Sequence, residues 1–272
     1  MHELKEKIQE YWNDVPCGWT HSFAPKGSKK FFKEVEEHRY FVEPHIHEVA
    51  QFTRHKGKKV LEIGVGLGTD HRHFAANGAI TIGIDLTAKA VQMTRKRLRL
   101  YGLVDRLCNA DAERLPFKDN SFDVVYSFGV LLSVPRTDVA IEEIRRVLRP
   151  GGTAIIMLYN KWSVKYLYDI LFKKGILKGE LLHCSPIDVL GQHSEANPGS
   201  PLIKAYTNRV CRTLFANYQT MEIKKYYIYK WREPEYKKKR YVPRFLYRTL
   251  SPRVFSWLEG KLGWHMVITA KA

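Results

Sequence analysis

Val60-Leu-Glu-Ile-Gly-Val-Gly-Leu-Gly-Thr-Asp70 is the stretch whose reading decides the fold of this chain. Val60 to Ile63 are apolar except for Glu62, and they follow the basic turn Lys56-Gly57-Lys58-Lys59. A short apolar run bounded by turn residues predicts a buried strand. Gly64, Gly66 and Gly68 come next, and Thr69-Asp70-His71-Arg72-His73-Phe74-Ala75-Ala76 has helical composition. A strand, a glycine turn and a helix N-terminus in that order form the first half of a nucleotide-binding βα unit. Glycine is needed where the backbone turns sharply and a ligand comes close, because a Cβ would stand in the way. Taken alone the signal is weak, since plain strand-to-helix connections also use glycine.

Two further features narrow it. Residues 79–84 (Ala-Ile-Thr-Ile-Gly-Ile) form a second β-branched run ending on Asp85. That is about 20 residues beyond the glycines, where an acidic side chain accepts both ribose hydroxyls. The glycines read GxGxG, whereas the dinucleotide fingerprint GxGxxG would need glycine in place of Thr69. An adenosine ligand without a pyrophosphate fits this turn better.

Five motifs then occur in order: Leu61-Glu-Ile-Gly-Val-Gly-Leu-Gly68, Gly83-Ile-Asp-Leu-Thr87, Ala110-Asp-Ala-Glu-Arg-Leu-Pro-Phe117, Ser121-Phe-Asp-Val-Val-Tyr-Ser127 and Arg146-Val-Leu-Arg-Pro-Gly-Gly152. With them the chain resembles the class I S-adenosylmethionine-dependent methyltransferases, in the type 11-like branch that acts mostly on small molecules. The resemblance covers roughly residues 58–159. It implies an α/β fold: a Rossmann-like, seven-stranded, mostly parallel sheet with helices on both faces and an antiparallel last strand. Residues 1–57 would be an N-terminal helical cap, 58–160 the cofactor-binding core, and 161–272 the completion of the sheet with a basic-aromatic insert at about 232–263. Met221–Trp231 and His265–Ala270 fit the last two strands.

The implied cofactor is S-adenosylmethionine, with Glu62, Gly64, Gly66, Gly68, Asp85, Leu86, Asp111, Ala112, Ser127 and Arg39 as its contacts. Asp111 would accept from the adenine amino group and Ala112 would offer its backbone to the ring. In this class the helices before the first strand commonly line the substrate site, which makes Tyr40, His45 and His47 candidates for that wall. Tyr159 and Asn160 end a strand at the edge where open α/β sheets bind ligands. Tyr11, Trp19, Asn160, His193 and Tyr206 are the substrate-contact candidates. The base candidates are His21 and His45, then His193, with Tyr40 and Tyr159 as orienting groups. Many relatives carry a polar pair just after the fourth strand; here Leu131-Leu132 stand there and suggest an apolar site floor.

Charge and composition bear on partners. The chain has 272 residues and a formal net charge of +17, which must attract something anionic. The stretch 224–253 interleaves Lys and Arg with Tyr and Trp, a pattern that suits single-stranded nucleic acid or an anionic membrane surface. A solvated hairpin with its aromatics packed inward is at least as good a reading. Arg95-Lys-Arg-Leu-Arg99 reads as the solvated face of an outer helix. The four cysteines (17, 108, 184 and 211) are scattered without metal-ligand spacing, and no metal is expected. With no membrane-length apolar run and no signal-peptide region, the expected location is cytoplasmic, with peripheral membrane contact as a variant.

Methyl transfer to a small-molecule acceptor, anionic and lipidic ones included, is therefore the expected function. A tRNA or other RNA nucleoside methyltransferase is the alternative, and a non-catalytic cofactor-binding or membrane-peripheral module the third reading. Trp19, His21 and Phe23 in the loop 13–27 stand equally as a flap over a pocket or as anchors of the loop.

Overall fold

A computed structural model describes residues 2–193, 199–231 and 242–272. The basic run Lys237-Lys-Lys-Arg-Tyr241 lies outside them. The strands are β1 (Lys59–Ile63), β2 (Ile80–Asp85), β3 (Leu107–Asn109), β4 (Phe122–Phe128), β5 (Leu148–Asn160), β6 (Ala205–Tyr206), β7 (Thr220–Tyr226) and β8 (His265–Lys271). They form one sheet in the order β3-β2-β1-β4-β5-β8-β7, with β6 added beside the end of β5. All neighbours run parallel except β8, which is antiparallel to both β5 and β7. The expected mostly parallel sheet with an antiparallel last strand is found. The eighth strand, β6, was not foreseen, because two residues are too few to show an alternating pattern. β7 is shorter than expected at its end, since Tyr227 adopts a left-handed φ of 72° and turns the chain out of the sheet.

The helices are α1 (His2–Asp14), α2 (Lys29–Val42), α3 (His45–Ala50), α4 (Thr69–Ala76), α5 (Ala88–Leu100), α6 (Thr137–Val147), α7 (Pro186–His193), α8 (Asn208–Leu214), α9 (Phe245–Thr249) and α10 (Pro252–Leu262). Their starts follow capping chemistry. The hydroxyls of Ser28, Thr87, Thr207 and Ser251 accept from the amides of Phe31, Ala90, Val210 and Val254. Each such cap contributes about 1 kcal/mol. The sequence allows Thr137 or Asp138 to cap α6, but the cap position falls on Arg136. Thr137 is the first residue of the helix, and its hydroxyl accepts from Lys204 Nζ at 2.7 Å and pairs with Tyr206 Oη at 2.8 Å.

Three other expectations are corrected. Trp162–Phe172 reads as an amphipathic α-helix; the structure has a π-helix over Lys165–Leu177. Leu131 and Leu132 do not floor a site but are fully buried in the core. Arg97, in the run read as solvated, is also fully buried. Its guanidinium pairs with Glu36 of α2 and donates to Thr69 Oγ1 at 2.7 Å.

The central strands β1, β4, β5 and β8 bury nearly every side chain between the helical layers. This matches the near-continuous apolar character of strands covered on both faces. Because β1 to β5 are parallel, their carboxyl ends and the loops after them collect on one edge. α1 and α2 cross that edge as a roof.

Candidate functional site

A cavity of about 360 Å³ follows this edge. Its wall takes Gly64 and Gly66 after β1, Asp85 at the end of β2, Asp111 after β3, Phe128 and Ser133 from the end of β4 and the turn after it, and Tyr159 from β5. The antiparallel β8 starts here and adds His265, while Tyr227 and Tyr229 follow the end of β7. Lys5, Ile8 and Trp12 of α1 and His38 and Arg39 of α2 face it from the roof. By the strand order, one half rests on β3, β2 and β1 and the other on β4, β5, β8 and β7.

The first half is rich in acceptors. Gly64 has φ 80°, and a Cβ there would lie 2.2 Å from Val130 Cγ2, so no side chain fits. Gly66, at φ 53°, would direct a Cβ into open space. At Gly64 packing excludes a side chain, whereas at Gly66 the backbone conformation and the open approach favour glycine. Asp85 Oδ2 accepts from Gly66 N at 3.0 Å, and Oδ1 accepts from the amide and hydroxyl of Thr87, each at 2.9 Å. Burial raises its pKa, and these hydrogen bonds oppose the shift. Asp111 pairs with Lys5 Nζ, which also reaches Glu113, so α1 is tied to the loop after β3. Across from these, in the turn after β4, Ser133 Oγ is buried without a hydrogen-bond partner among the described residues. Such a hydroxyl beside a cavity leaves room for a ligand's polar group.

A tight charged network forms part of the cavity wall, with Arg39, Asp70 and Glu62 all lining it. Asp70 accepts two bonds from Arg39, at 3.2 and 2.8 Å, one from Tyr40 Oη at 3.0 Å and one from Tyr126 Oη at 2.9 Å. Burial by itself would raise this carboxyl, but Arg39 and the two phenols override it and hold its pKa below the usual range. Glu62 is the opposite case. Burial, reinforced by the Asp70 and Asp85 carboxylates, lifts it well above the ordinary value. Its partner His71 Nδ1, at 3.0 Å, is pushed down to about 4 by burial. Both shifts favour a neutral acid–imidazole pair.

The second half is aromatic. Tyr159 and Tyr226 are the neighbours of His265 on either side of β8. The His265 ring stacks on Tyr227 at 4.6 Å and meets Phe128 edge-on at 5.6 Å. Trp264 stacks on Tyr159 at 4.0 Å. His265 Nδ1 lies 3.1 Å from His45 Nε2, and its Nε2 lies 3.7 Å from Glu43 Oε1. Burial, with His45 and Arg39 adding to it, drives its pKa well below 6.5, so the imidazole is neutral at neutral pH.

Of the residues singled out in the sequence, Arg39, Glu62, Gly64, Gly66, Asp85, Leu86, Asp111, Ala112, His21, Tyr159 and His193 line the cavity. Gly68, Ser127, Tyr40, His45, Tyr11, Trp19, Asn160 and Tyr206 are not among its lining residues. Gly68 shapes the turn. Tyr40 is held on Asp70, and His45 stands next to His265. Trp19 packs edge-on against Phe31, Phe23 is 97% exposed, and His21 lines the cavity together with Pro16, Cys17 and Gly18, so the loop is both anchored and part of the wall. Tyr11 packs on Trp12, which takes the wall position. Asn160 pins β5 to the turn before β8, donating to Gly263 O at 2.9 Å, and the Tyr206 hydroxyl pairs with Thr137. Sequence reasoning missed His265, Ser133, Asp70, Lys5 and Tyr227. For His265 the available signal was register: an antiparallel strand beginning beside Tyr159 must start at the site.

Among the described residues no group of three or more His, Cys, Asp and Glu is arranged to hold a metal. No helix there is long and apolar enough to cross a membrane. Several bases of 224–253 are engaged internally: Lys225 donates to Lys261 O, Lys230 pairs with Glu259, and Arg244 with Asp169.

Comparison with known proteins agrees with this geometry. Residues 61–156 match the family model described as a methyltransferase domain. The chain is 36% identical over 128 residues to the ubiquinone/menaquinone biosynthesis C-methyltransferase UbiE of Cupriavidus necator, covering 45% of this chain and 52% of that protein. The corresponding enzyme of Burkholderia multivorans is 37% identical over the same shares. The chain thus spans about half the length of these relatives. Among solved structures it resembles the YcgJ protein of Bacillus subtilis, with a TM-score of 0.56, 17% identity and coverage of 84% and 98% of the two chains. A SAM-dependent methyltransferase of Methanosarcina mazei gives 0.55, 20%, 84% and 96%. The strand order and the glycine turn agree with the family match: residues 61–156 are similar to a methyltransferase domain, and the cofactor it implies is S-adenosylmethionine.

Proposed function

We propose that this chain transfers a methyl group from S-adenosylmethionine to a small acceptor held in the aromatic half of the cavity. The observation that carries the reading is a single cavity joining the Gly66, Asp85 and Asp111 half to the Tyr159, Tyr227 and His265 half. Bound there, the cofactor supplies an activated methyl group for in-line displacement. The chain's own residues bind and align. Asp85 accepts from the ribose hydroxyls, and Asp111 accepts from the adenine amino group with Ala112 beside the ring. Ser133 Oγ offers a hydrogen bond, and the Arg39–Asp70 pair fixes the wall between the halves. Orientation of this kind can contribute on the order of 7–11 kcal/mol to the rate.

His265 is the proton acceptor in this scheme and His45 its positioning partner. A neutral imidazole is of use where the acceptor loses a proton, as a hydroxyl or a carbon acid does. The C-methyltransferase relatives favour a carbon acceptor of that sort. Residues 1–57 act as the cap, 58–160 as the cofactor-binding core and 161–272 as the part that completes the sheet. The scattered cysteines support action in the cytoplasm. No specific observation favours the RNA alternative.

Titration calorimetry with S-adenosylmethionine and with its demethylated product tests the cofactor half, and uptake of both is expected. Transfer of a labelled methyl group into a metabolite extract tests the acceptor half. Label appearing only in RNA, or binding of a nicotinamide dinucleotide in place of the sulfonium compound, would overturn the reading.

A further inference from the structure

The π-helix Lys165–Leu177 and the turn after it carry an apolar face that lies in solvent. Hydrogen bonding from i to i+5 widens the turn of a π-helix beyond that of an α-helix, so residues four apart stay on one side. Tyr168, Phe172 and Ile176 make such a stripe, and the first two rings stack at 5.9 Å. Ile176 is 63% exposed, Leu177 66% and, just beyond, Leu182 81%. Tyr166, Ile170 and Gly175 are buried and hold the other side to the core, so the exposed stripe is not a misplaced core face.

Basic residues border it: Lys165, Lys173, Lys174 and Lys178. The Lys173 ammonium lies 4.7 Å over the Tyr168 ring. The acidic residues of the same stretch are already engaged. Asp169 pairs with Lys173 and Arg244, and Glu180 with His193. The face is therefore apolar at its centre and positive at its rim.

We propose that this face docks the protein on the surface of an anionic lipid bilayer. Exposed aliphatic and aromatic side chains enter the headgroup boundary while lysines meet anionic headgroups, and both contributions add. A second copy of this chain is the poorer occupant, because two such faces bring like-charged rims together on molecules that each carry +17. The rings of Tyr168 and Phe172 stack on each other, and the most exposed residues of the face, Ile176, Leu177 and Leu182, lack the flat rings that stack nucleic-acid bases. The face also adjoins the aromatic half of the cavity. Lys165 Nζ lies 4.8 Å over the ring of Tyr229, and Glu180 holds His193; Tyr229 and His193 are both cavity-lining residues. A docked molecule would thus present that end of the cavity near the lipid.

The proposal does not rest on methyl transfer, and its test reads binding alone. The full chain is sedimented with phosphatidylcholine vesicles, with and without added phosphatidylserine. Binding is expected with phosphatidylserine, falling as salt is raised, and far less on phosphatidylcholine alone. The Ile176→Glu/Leu182→Glu double variant should bind at least about tenfold more weakly. Lys173→Gln/Lys178→Gln, two exposed changes that leave the fold alone, should lose roughly fivefold per charge. Val104→Glu, at an exposed apolar residue before β3 on the far sheet edge, should change nothing, and the melting temperature of each variant verifies folding. Absent vesicle binding, equal binding by folded double variants, or an intact-chain dimer that the Glu variant dissociates would each overturn the proposal.

Discussion

His265 stands between Tyr159 and Tyr226 in the register of β8, next to His45, and burial keeps it uncharged. Acting as proton acceptor, it fixes the direction of the pH response. The active base form persists down through the ordinary histidine range, so the acid limb of kcat should lie below about 6.5, the unperturbed value. His265→Asn should lower kcat by about 10²–10⁴-fold while calorimetry finds unchanged cofactor affinity. His45→Asn removes one cause of the depression but leaves burial, the larger one. Its acid limb should move upward and still stay below 6.5, a shift that loss of packing alone would not produce. Asp85 belongs to the other half. Asp85→Ala should weaken cofactor binding by about 3 kcal/mol, roughly 10²-fold, because hydrogen bonds to a charged group are each worth about 1.5–3 kcal/mol. Unchanged affinity in that variant would separate Asp85 from the ribose.

Among the helices, the packing of α5 against α2 and α4 depends on one guanidinium. Arg97 is fully buried and pairs with Glu36, which also takes Arg72 and His73; the Glu36 carboxyl is held down at about 2. Removing one member of a buried pair costs about 3–5 kcal/mol. Because Arg72 and His73 still serve Glu36, Arg97→Ala should fall at the lower end of that range in denaturant unfolding. Arg99→Ala, at a side chain 72% exposed, should be close to neutral. The contrast explains what the sequence could disclose. Residues 95–99 show four basic positions around Leu98, and only packing against Glu36, about 60 residues earlier in the chain, decides which arginine turns inward. The glycine turn and Asp85 were legible because each depends on local spacing, whereas the mostly parallel sheet with its antiparallel last strand came from the family resemblance. His265 was legible only as the start of a strand beside Tyr159; its pairing with His45, more than two hundred residues away, was not. The π-helix was also hidden, because an extra residue per turn leaves a pattern close to that of an α-helix.

The whole molecule carries a set of histidines that folding keeps neutral, and this gives its stability a pH dependence with a defined sign. Burial pushes His45 down to about 3 and His71 to about 4, and drives His265 well below 6.5. In the unfolded chain each takes up a proton near 6.5, which the native state refuses. Their contribution is therefore complete above about 6.5 and drains away as pH falls, at up to about 1.4 kcal/mol per pH unit for each group. Glu62 acts in the other direction. Its raised pKa lets the native state keep a proton that the unfolded chain releases above about 4.5, so its contribution grows as pH falls toward that value. Burial also holds His47 and His55 below their ordinary value and raises Asp85 as it does Glu62, so the histidines outnumber the carboxyls and unfolding takes up protons in this window. Stability should drop between about pH 6.5 and 5, by up to about 1.4 kcal/mol per pH unit for each proton taken up, seen as a falling midpoint in calorimetric melts. Glu36, held near 2, loses its contribution only at lower pH and does not blur the window. His45→Asn should make the slope shallower by about one proton. A flat profile over the same range would mean that the imidazoles at the cavity are charged in the native state, and His265 would then lose the lone pair that its role as proton acceptor requires.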